Sequence, residues 1–294
     1  MDKNIIKKDL RFVIIPKVVH PWFDEVLKGA HEQAKFLEIQ SGIKIEIDYQ
    51  PPSIADIDEQ NLIFEKAIIS NPDGIAIDPL DTVSNMHIFE KTRNKGIPVI
   101  VFDSPYQGSE ISSVGNDFAE QGTIAAERLV KLLGEEGKVA VMKGFPNAPN
   151  HKERFDAQIK VLEKFPRITI IDGGTDNDNI MLAEVQALSV IKSNPDLKGY
   201  LCCDASGPLG IAEAIKKAGM AGKIKVVSMD GIKPIPETIK DGIFDSSAST
   251  KPKMQGSMSI LMLWQASHGI KIPQRIDTGI DLITLENVDK IINE

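Results

Sequence analysis

The sequence predicts an α/β fold of two doubly wound parallel-sheet domains joined by a three-strand hinge. Three observations carry that expectation. Short β-rich runs recur at residues 11–16, 43–48, 74–78 and 98–103, and again at 138–143, 168–172, 199–203 and 224–230. Their spacing of roughly thirty residues is that of one strand–helix–strand unit. Stretches of helical periodicity separate them, and such alternation implies parallel sheets covered on both faces. The 294 residues also exceed the usual size of a single core, so two domains are expected.

The elements follow in order. Residues 23–40 carry Val26, Ala30, Ala34 and Leu37 at the spacing of one helix face. Residues 57–70 follow, with Leu62, Ala67, Ile68 and Ile69, and stop at Asn71-Pro72 because proline disfavours helix in the residue before it. Residues 82–95 end at Gly96, a residue suited to a C-cap. In the second half, helices are expected over 116–133, 152–164, 179–193 and 207–218, closed by Gly134, Pro166, Pro195 and Gly219. Residues 111–116 read as a short strand that crosses from one sheet to the next. Residues 243–250 form a polar strand, followed by a Met-rich helix at 252–269, an extended run at 273–282 and a short helix at 286–293. Crossings near 113–116, 249–252 and 276–283 divide the chain into two lobes, 1–113 with 252–276 and 114–249 with 280–294. Polar, weakly β-forming crossings suit a joint that bends.

Composition narrows the function. A net charge of −8 argues against a nucleic-acid surface, which needs clustered Lys and Arg. A hydrophobic content of 42% suffices for two cores, and no segment has the apolar length of a membrane span. The first ten residues carry no charged-then-apolar signal, so either the chain is cytosolic or its export segment lies outside this sequence. Cys202 and Cys203 are adjacent, a poor geometry for a bridge, and read as buried thiols of a central strand.

The strand ends are where chemistry is expected, because open parallel sheets hold ligands at the carboxyl ends of their strands. The first strand is followed by Lys17 and the loop His20-Pro21-Trp22-Phe23; later strands end in Asp78, Asp103-Ser104, Asp204-Ala205 and Asp230. Any one such Asp serves as a helix cap, but the same placement in both halves exceeds what capping needs. Trp22 and Phe23 offer either a hydrophobic staple for the next helix or flat faces for the C–H side of a sugar ring, with carboxylates accepting hydroxyl protons. Trp264 shares a helix with Met258, Leu261 and Met262 and reads as core, while His31 and His87 read as exposed helix residues. Catalytic and metal signatures are lacking: no phosphate-binding glycine loop, no HExxH, no serine elbow. The segment Asp172-Gly-Gly-Thr-Asp-Asn-Asp shares only composition with a calcium loop and reads as a turn into an N-cap. No cofactor is expected. Cleft carboxylates also suit glycoside hydrolysis, an enzyme reading that turnover of a chromogenic glycoside tests.

In this order, the residues resemble the periplasmic sugar-binding proteins of the ribose-binding type, whose fold also serves as the effector domain of LacI-like repressors. The resemblance runs from Arg11-Phe-Val-Ile-Ile-Pro-Lys to the last helix. The family's Asn-Pro-aromatic-aromatic loop looks like His20-Pro21-Trp22-Phe23, and its Asp-Arg pair falls on Asp103-Ser104. A ligand-binding Arg that opens a second-domain helix falls on Arg154. The family's Asn after the third strand of that domain falls on Asp204, the Asp of its Phe-Asp-Gly motif on Asp230, and the Gln of the last hinge on Thr250. Relative to the ribose pattern, the pocket loses a cation at Ser104 and gains an anion at Asp204. Lys17 and Arg154 are then the counter-charges, with His20 and His151 as helpers, and Asn150 is a further expected ligand contact.

The resemblance implies an extracytoplasmic binder of a neutral pentose or hexose that closes about its hinge. Its partner would be a membrane ABC permease or a membrane sensor histidine kinase, and it would be a monomer when free. A branch that binds the furanosyl quorum signal is also similar at Lys17, Asp103 and Ala205 but differs at Asn150, His151 and Cys203. The repressor alternative needs a helix-turn-helix of about fifty to sixty residues ahead of the first strand.

Overall fold

The computed structural model describes residues 9–104 and 111–292. The chain divides into two compact units, Met1–Gly115 with Pro252–Thr278 and Asn116–Lys251 with Gly279–Glu294, and passes from one to the other three times.

In the first unit, six strands stand in the order β11-β5-β4-β3-β1-β2, every neighbouring pair parallel. They are β1 (Leu10–Ile15), β2 (Ile45–Tyr49), β3 (Gly74–Ile77), β4 (Val99–Asp103), β5 (Ser112–Gly115) and β11 (Arg275–Asp277). The central strands are continuous apolar runs because helices cover both faces. Phe12, Val13, Ile75, Ile77, Val101 and Phe102 are all fully buried. Helices α1 (Pro21–Ser41), α2 (Ile57–Ile69), α3 (Thr82–Lys95) and α9 (Pro252–Ser267) belong to this unit. Asp56 and Asp81 cap α2 and α3 by accepting the N–H of Glu59 and Val83. Helices α1 and α9 touch backbone to backbone: a Cβ on Gly29 would lie 1.8 Å from the carbonyl oxygen of Lys253, and one on Gly256 would lie 1.9 Å from that of Val26.

The second unit repeats the plan. Its sheet runs β12-β10-β9-β8-β6-β7, parallel except for the antiparallel edge strand β12. The strands are β6 (Glu136–Lys143), β7 (Arg167–Thr175), β8 (Leu197–Leu201), β9 (Lys225–Met229), β10 (Ser246–Ser249) and β12 (Asp281–Thr284). Its helices are α4 (Phe118–Leu133), α5 (Pro149–Leu162), α6 (Ile180–Ser193), α7 (Ser206–Ala218), α8 (Ile235–Lys240) and α10 (Val288–Ile292). In each sheet the chain starts at an inner strand, steps outward once, and then returns past it. The reversal is the switch point at which open α/β sheets hold ligands.

Several details differ from the sequence reading. Helix α5 starts at Pro149, earlier than residue 152, because proline at the first helical position has no N–H to lose. Helix α8 was not expected. The extended run at 273–282 is two strands, one in each sheet. Trp264 is half-buried and lies against His268, with ring centroids 4.4 Å apart. Cys202 and Cys203 are buried as expected, but just past the end of β8. His31 and His87 are exposed. Asn179 caps α6 by accepting the N–H of Leu182, as the turn reading requires. Asn293, the end of the expected last helix, lies outside the described residues.

Candidate functional site

In the first unit the carboxyl ends of β1, β3 and β4 lie side by side and bring Lys17, Asp78 and Asp103 together. The Lys17 ammonium stands 3.4 Å from Asp78 Oδ2 and 3.5 Å from Asp103 Oδ2, and all three residues are buried. The backbone N–H and hydroxyl of Ser104 donate to Asp78 Oδ1 at 3.1 and 2.5 Å. Burial pushes the Asp78 carboxyl up to about 7; Lys17 pulls it back and the Asp103 charge adds to the rise. Gln60 fastens this edge, donating to the carbonyls of Pro16 and Asp78 and accepting the N–H of Leu80.

His20 is the N-cap of α1: its Nδ1 accepts the N–H of Trp22 at 3.1 Å. Trp22 and Phe23 occupy the first turn of that helix, both buried. The Trp22 ring meets Phe23 edge to face at 5.1 Å, and Phe23 meets Phe102 of β4 in the same manner at 6.3 Å. Phe23 therefore anchors α1 to the sheet at the carboxyl end of β4.

In the second unit the corresponding edge is more acidic. Arg154, on α5, is held from α4 and the segment just after β8: its Nε donates to Gln121 Oε1 at 2.6 Å, its Nη1 to the carbonyl of Cys203 at 3.3 Å, and its guanidinium lies 4.6 Å above the Phe118 ring. Gly122 lets α5 come this close, since a Cβ there would lie 2.4 Å from the Arg154 carbonyl oxygen. Gln121 in turn donates to the Ala248 carbonyl of β10. Asn150 is buried and its Oδ1 accepts the N–H of His151. His151 Nδ1 accepts the N–H of Phe145 at 3.0 Å, and its Nε2 lies 3.8 Å from Asp178 Oδ2. Asp204 Oδ1 accepts the N–H of Gly207, in the first turn of α7, and Ala205 precedes that helix. Burial pushes the Asp204 carboxyl up to about 6, with the Asp178 charge adding to the rise. Asp230 Oδ1 accepts the hydroxyl of Thr250 at 2.5 Å.

Asp103 and Asp230 end the fourth strand of their respective sheets in the left-handed region, with φ of 55° and 66°. Asp tolerates this conformation better than most residues, and its recurrence at equivalent places fits strain kept at a working site.

Asp78 was read as a strand-end carboxylate but not as a ligand contact, and Asp176, Asp178, Gln60 and Gln121 were not read as site residues at all. Asp78 ends its strand as the others do, and that signal was present. Asp176 and Asp178 lie in the Asp-rich turn, where β7 stands beside β6 and brings them to Asp204 and His151; ligand atoms of His151, Asp178 and Asp204 lie within 4.8 Å of one another. Gln60 carried no signal, being a lone amide on a helix.

Solved structures share this architecture. A solute-binding protein of an ABC transporter from Agrobacterium vitis with bound D-fucose superposes with a TM-score of 0.90 at 26% identity, over 95% of this chain and 97% of that one. One from Burkholderia graminis in complex with D-arabinose gives 0.89 at 26% identity, over 96% and 97%. Among curated relatives, the D-allose-binding periplasmic protein of Escherichia coli is 25% identical over 88% of this chain and 85% of its own length. The ribose import binding protein RbsB of Bacillus subtilis is 26% identical over 90% and 84%. These relatives are sugar-binding transport proteins and not enzymes. Among the described residues no helix is long and apolar enough to cross a membrane. Residues 12–271 match the family model of the periplasmic binding protein domain, and the chain belongs to that family of solute-binding proteins.

Proposed function

We propose that the chain captures one neutral monosaccharide, a pentose or a hexose, and hands it to the membrane permease of an ABC importer. The observation that carries this reading is the recurrence, in each unit, of buried carboxylates at the strand ends beside a buried cation: Asp78 and Asp103 with Lys17, and Asp204 with Arg154, with Asp230 buried at the next strand end. Carboxylates accept sugar hydroxyl protons in short, strong bonds, while Lys17 and Arg154 donate to ring and hydroxyl oxygens. Trp22 and Phe23 supply apolar faces for the C–H side of the ring. A ligand favours whichever conformation makes more contacts with it, so capture is read as closure about a hinge. Chain crossings beside Gly115, Lys251 and Thr278 are the joint.

In this reading the protein works outside the cytoplasm as a monomer, with a membrane sensor histidine kinase as the alternative to the permease. Titration calorimetry across common pentoses and hexoses tests the reading. Saturable one-to-one heat with a neutral sugar is expected; silence with every neutral sugar, joined to tight binding of a sugar acid or phosphate, overturns it.

A further inference from the structure

At the carboxyl edge of the second unit, Asp204 leans on a second acid. Asp176, in the turn after β7, and Asp204, just after β8, are 0% and 1% exposed and hydrogen-bond side chain to side chain. An ionised carboxylate only accepts, so two carboxyls bond each other only when one of them carries a proton. Gly207 is bare where the acids meet: a Cβ there would lie 3.2 Å from Asp176 Oδ2 and 2.9 Å from Asp204 Oδ1. Asp176 reaches this place on a fixed backbone. Its N–H donates to the Lys143 carbonyl of β6, and its Oδ1 accepts the N–H of Asp178 at 3.0 Å.

The surroundings decide which acid holds the proton. Asp204 Oδ1 accepts the N–H of Gly207 at 2.8 Å, and the Arg154 charge also favours its ionised form. Asp176 is pushed well above the usual carboxylate range by burial and by the Asp204 charge, with Asp178 adding to the rise. The other groups around the pair do not reverse this order. Burial keeps the Cys202 and Cys203 thiols protonated, and His151 is neutral because its Nδ1 accepts the Phe145 N–H. Asp176 is therefore the donor and Asp204 the ion. A carboxylate has about four lone-pair sites, so the Gly207 N–H and the Asp176 proton leave others for a ligand.

We propose that Asp176 is a positioning residue: as a neutral acid it donates to Asp204, fixes that carboxylate at the sheet edge and keeps it ionised to accept a sugar hydroxyl. That Asp204 meets the sugar rests on the sugar-binding reading above; the pairing of the two acids does not.

Asp176→Asn imitates the neutral acid, since its amide oxygen still accepts the Asp178 N–H and its amide nitrogen still donates to Asp204. Asp176→Leu keeps the bulk and removes the donor. Carbon-13 NMR of carboxyl-labelled aspartate, in sugar-free protein from pH 4.5 to 8.5, follows both acids, with Asp204→Asn and Asp176→Asn assigning the resonances. Asp204 should titrate near 6 in the wild type, at or below that in Asp176→Asn, and about one pH unit higher in Asp176→Leu. The Asp176 resonance should remain that of a protonated acid throughout the range in which Asp204 titrates, a readout that needs no Leu variant. Calorimetry with whichever neutral pentose or hexose binds should place Asp176→Asn within about threefold of the wild type. The deficit of Asp176→Leu should grow about fivefold as the pH falls from 8.5 to 6, which a merely structural loss would not do. Asp78 of the first unit also titrates near 7, but it is common to all three proteins and cancels in the comparison. An Asp176 that ionises before Asp204, an Asp204 midpoint left unmoved in a folded Asp176→Leu, or a tenfold loss of affinity in Asp176→Asn overturns the inference. If no neutral sugar binds the wild type, the sugar reading fails, and the NMR midpoints alone decide whether Asp176 holds Asp204.

Discussion

Replacing Lys17 by Met tests the electrostatics of the first unit's edge. The ammonium is 2% exposed and stands 3.4 Å from Asp78 and 3.5 Å from Asp103, themselves almost wholly buried. At an effective dielectric constant near 20, each contact is worth about 5 kcal/mol of Coulomb attraction, most of it offset by desolvation. Removing the cation while leaving both carboxylates buried is expected to cost about 3–5 kcal/mol. The loss depends on pH. The folded Asp78 carboxyl titrates near 7, above its ordinary 3.8, so it already favours the folded protein when protonated. Its contribution is complete below about pH 4 and disappears as the pH rises through 7. Without Lys17 the carboxyl holds its proton more tightly still. The Lys17→Met variant should therefore be destabilised far more at pH 8 than at pH 5, and Lys17→Met with Asp78→Asn should recover much of the loss. Urea unfolding of the wild type and both variants at the two pH values measures this. A loss at pH 8 below about 1 kcal/mol, or one equal at both pH values, refutes the reasoning.

Other substitutions probe the supports of the two edges. Gly122→Ala places a methyl 2.4 Å from the Arg154 carbonyl; it should cost about 1–3 kcal/mol in urea unfolding and weaken sugar binding in calorimetry, because α5 must retreat with its arginine. Gln60→Leu removes three buried hydrogen bonds and leaves carbonyls and an N–H unmet. A loss of at least about 2 kcal/mol is expected by the same unfolding assay. Thr250→Val deprives Asp230 of its hydroxyl donor and should cost about 1–3 kcal/mol, whereas Thr250→Ser should stay within about 1 kcal/mol of the wild type.

The architecture was legible because parallel strands buried on both faces leave continuous apolar runs such as Phe12-Val-Ile-Ile and Ile75-Ala-Ile, and because glycine and proline stop the helices between them. The strand-end carboxylates were legible for the same reason: each follows an apolar run directly. The two shortest edge strands were read only as one extended run at 273–282, since their alternation of polar and apolar residues does not show where one sheet is left for the other. Helix α8, six residues with prolines around its start, was hidden for a similar reason. Asp176 and Asp178 show a different limit. Their local role as a turn ahead of the Asn179 cap was readable, but sheet order brings their carboxylates to Asp204, and sheet order is not written in the turn. Gln60 and Gln121 are helix residues whose work is done by long-range hydrogen bonds, which a single sequence does not display.

The most direct check on the account is a sugar titration of Asp103→Asn and Asp230→Asn, one substitution at each unit's fourth strand end. If each of these carboxylates accepts a sugar hydroxyl, each variant should lose about tenfold or more in affinity for the same sugar while still unfolding cooperatively. Wild-type affinity in either variant would contradict the claim that its carboxylate binds the sugar.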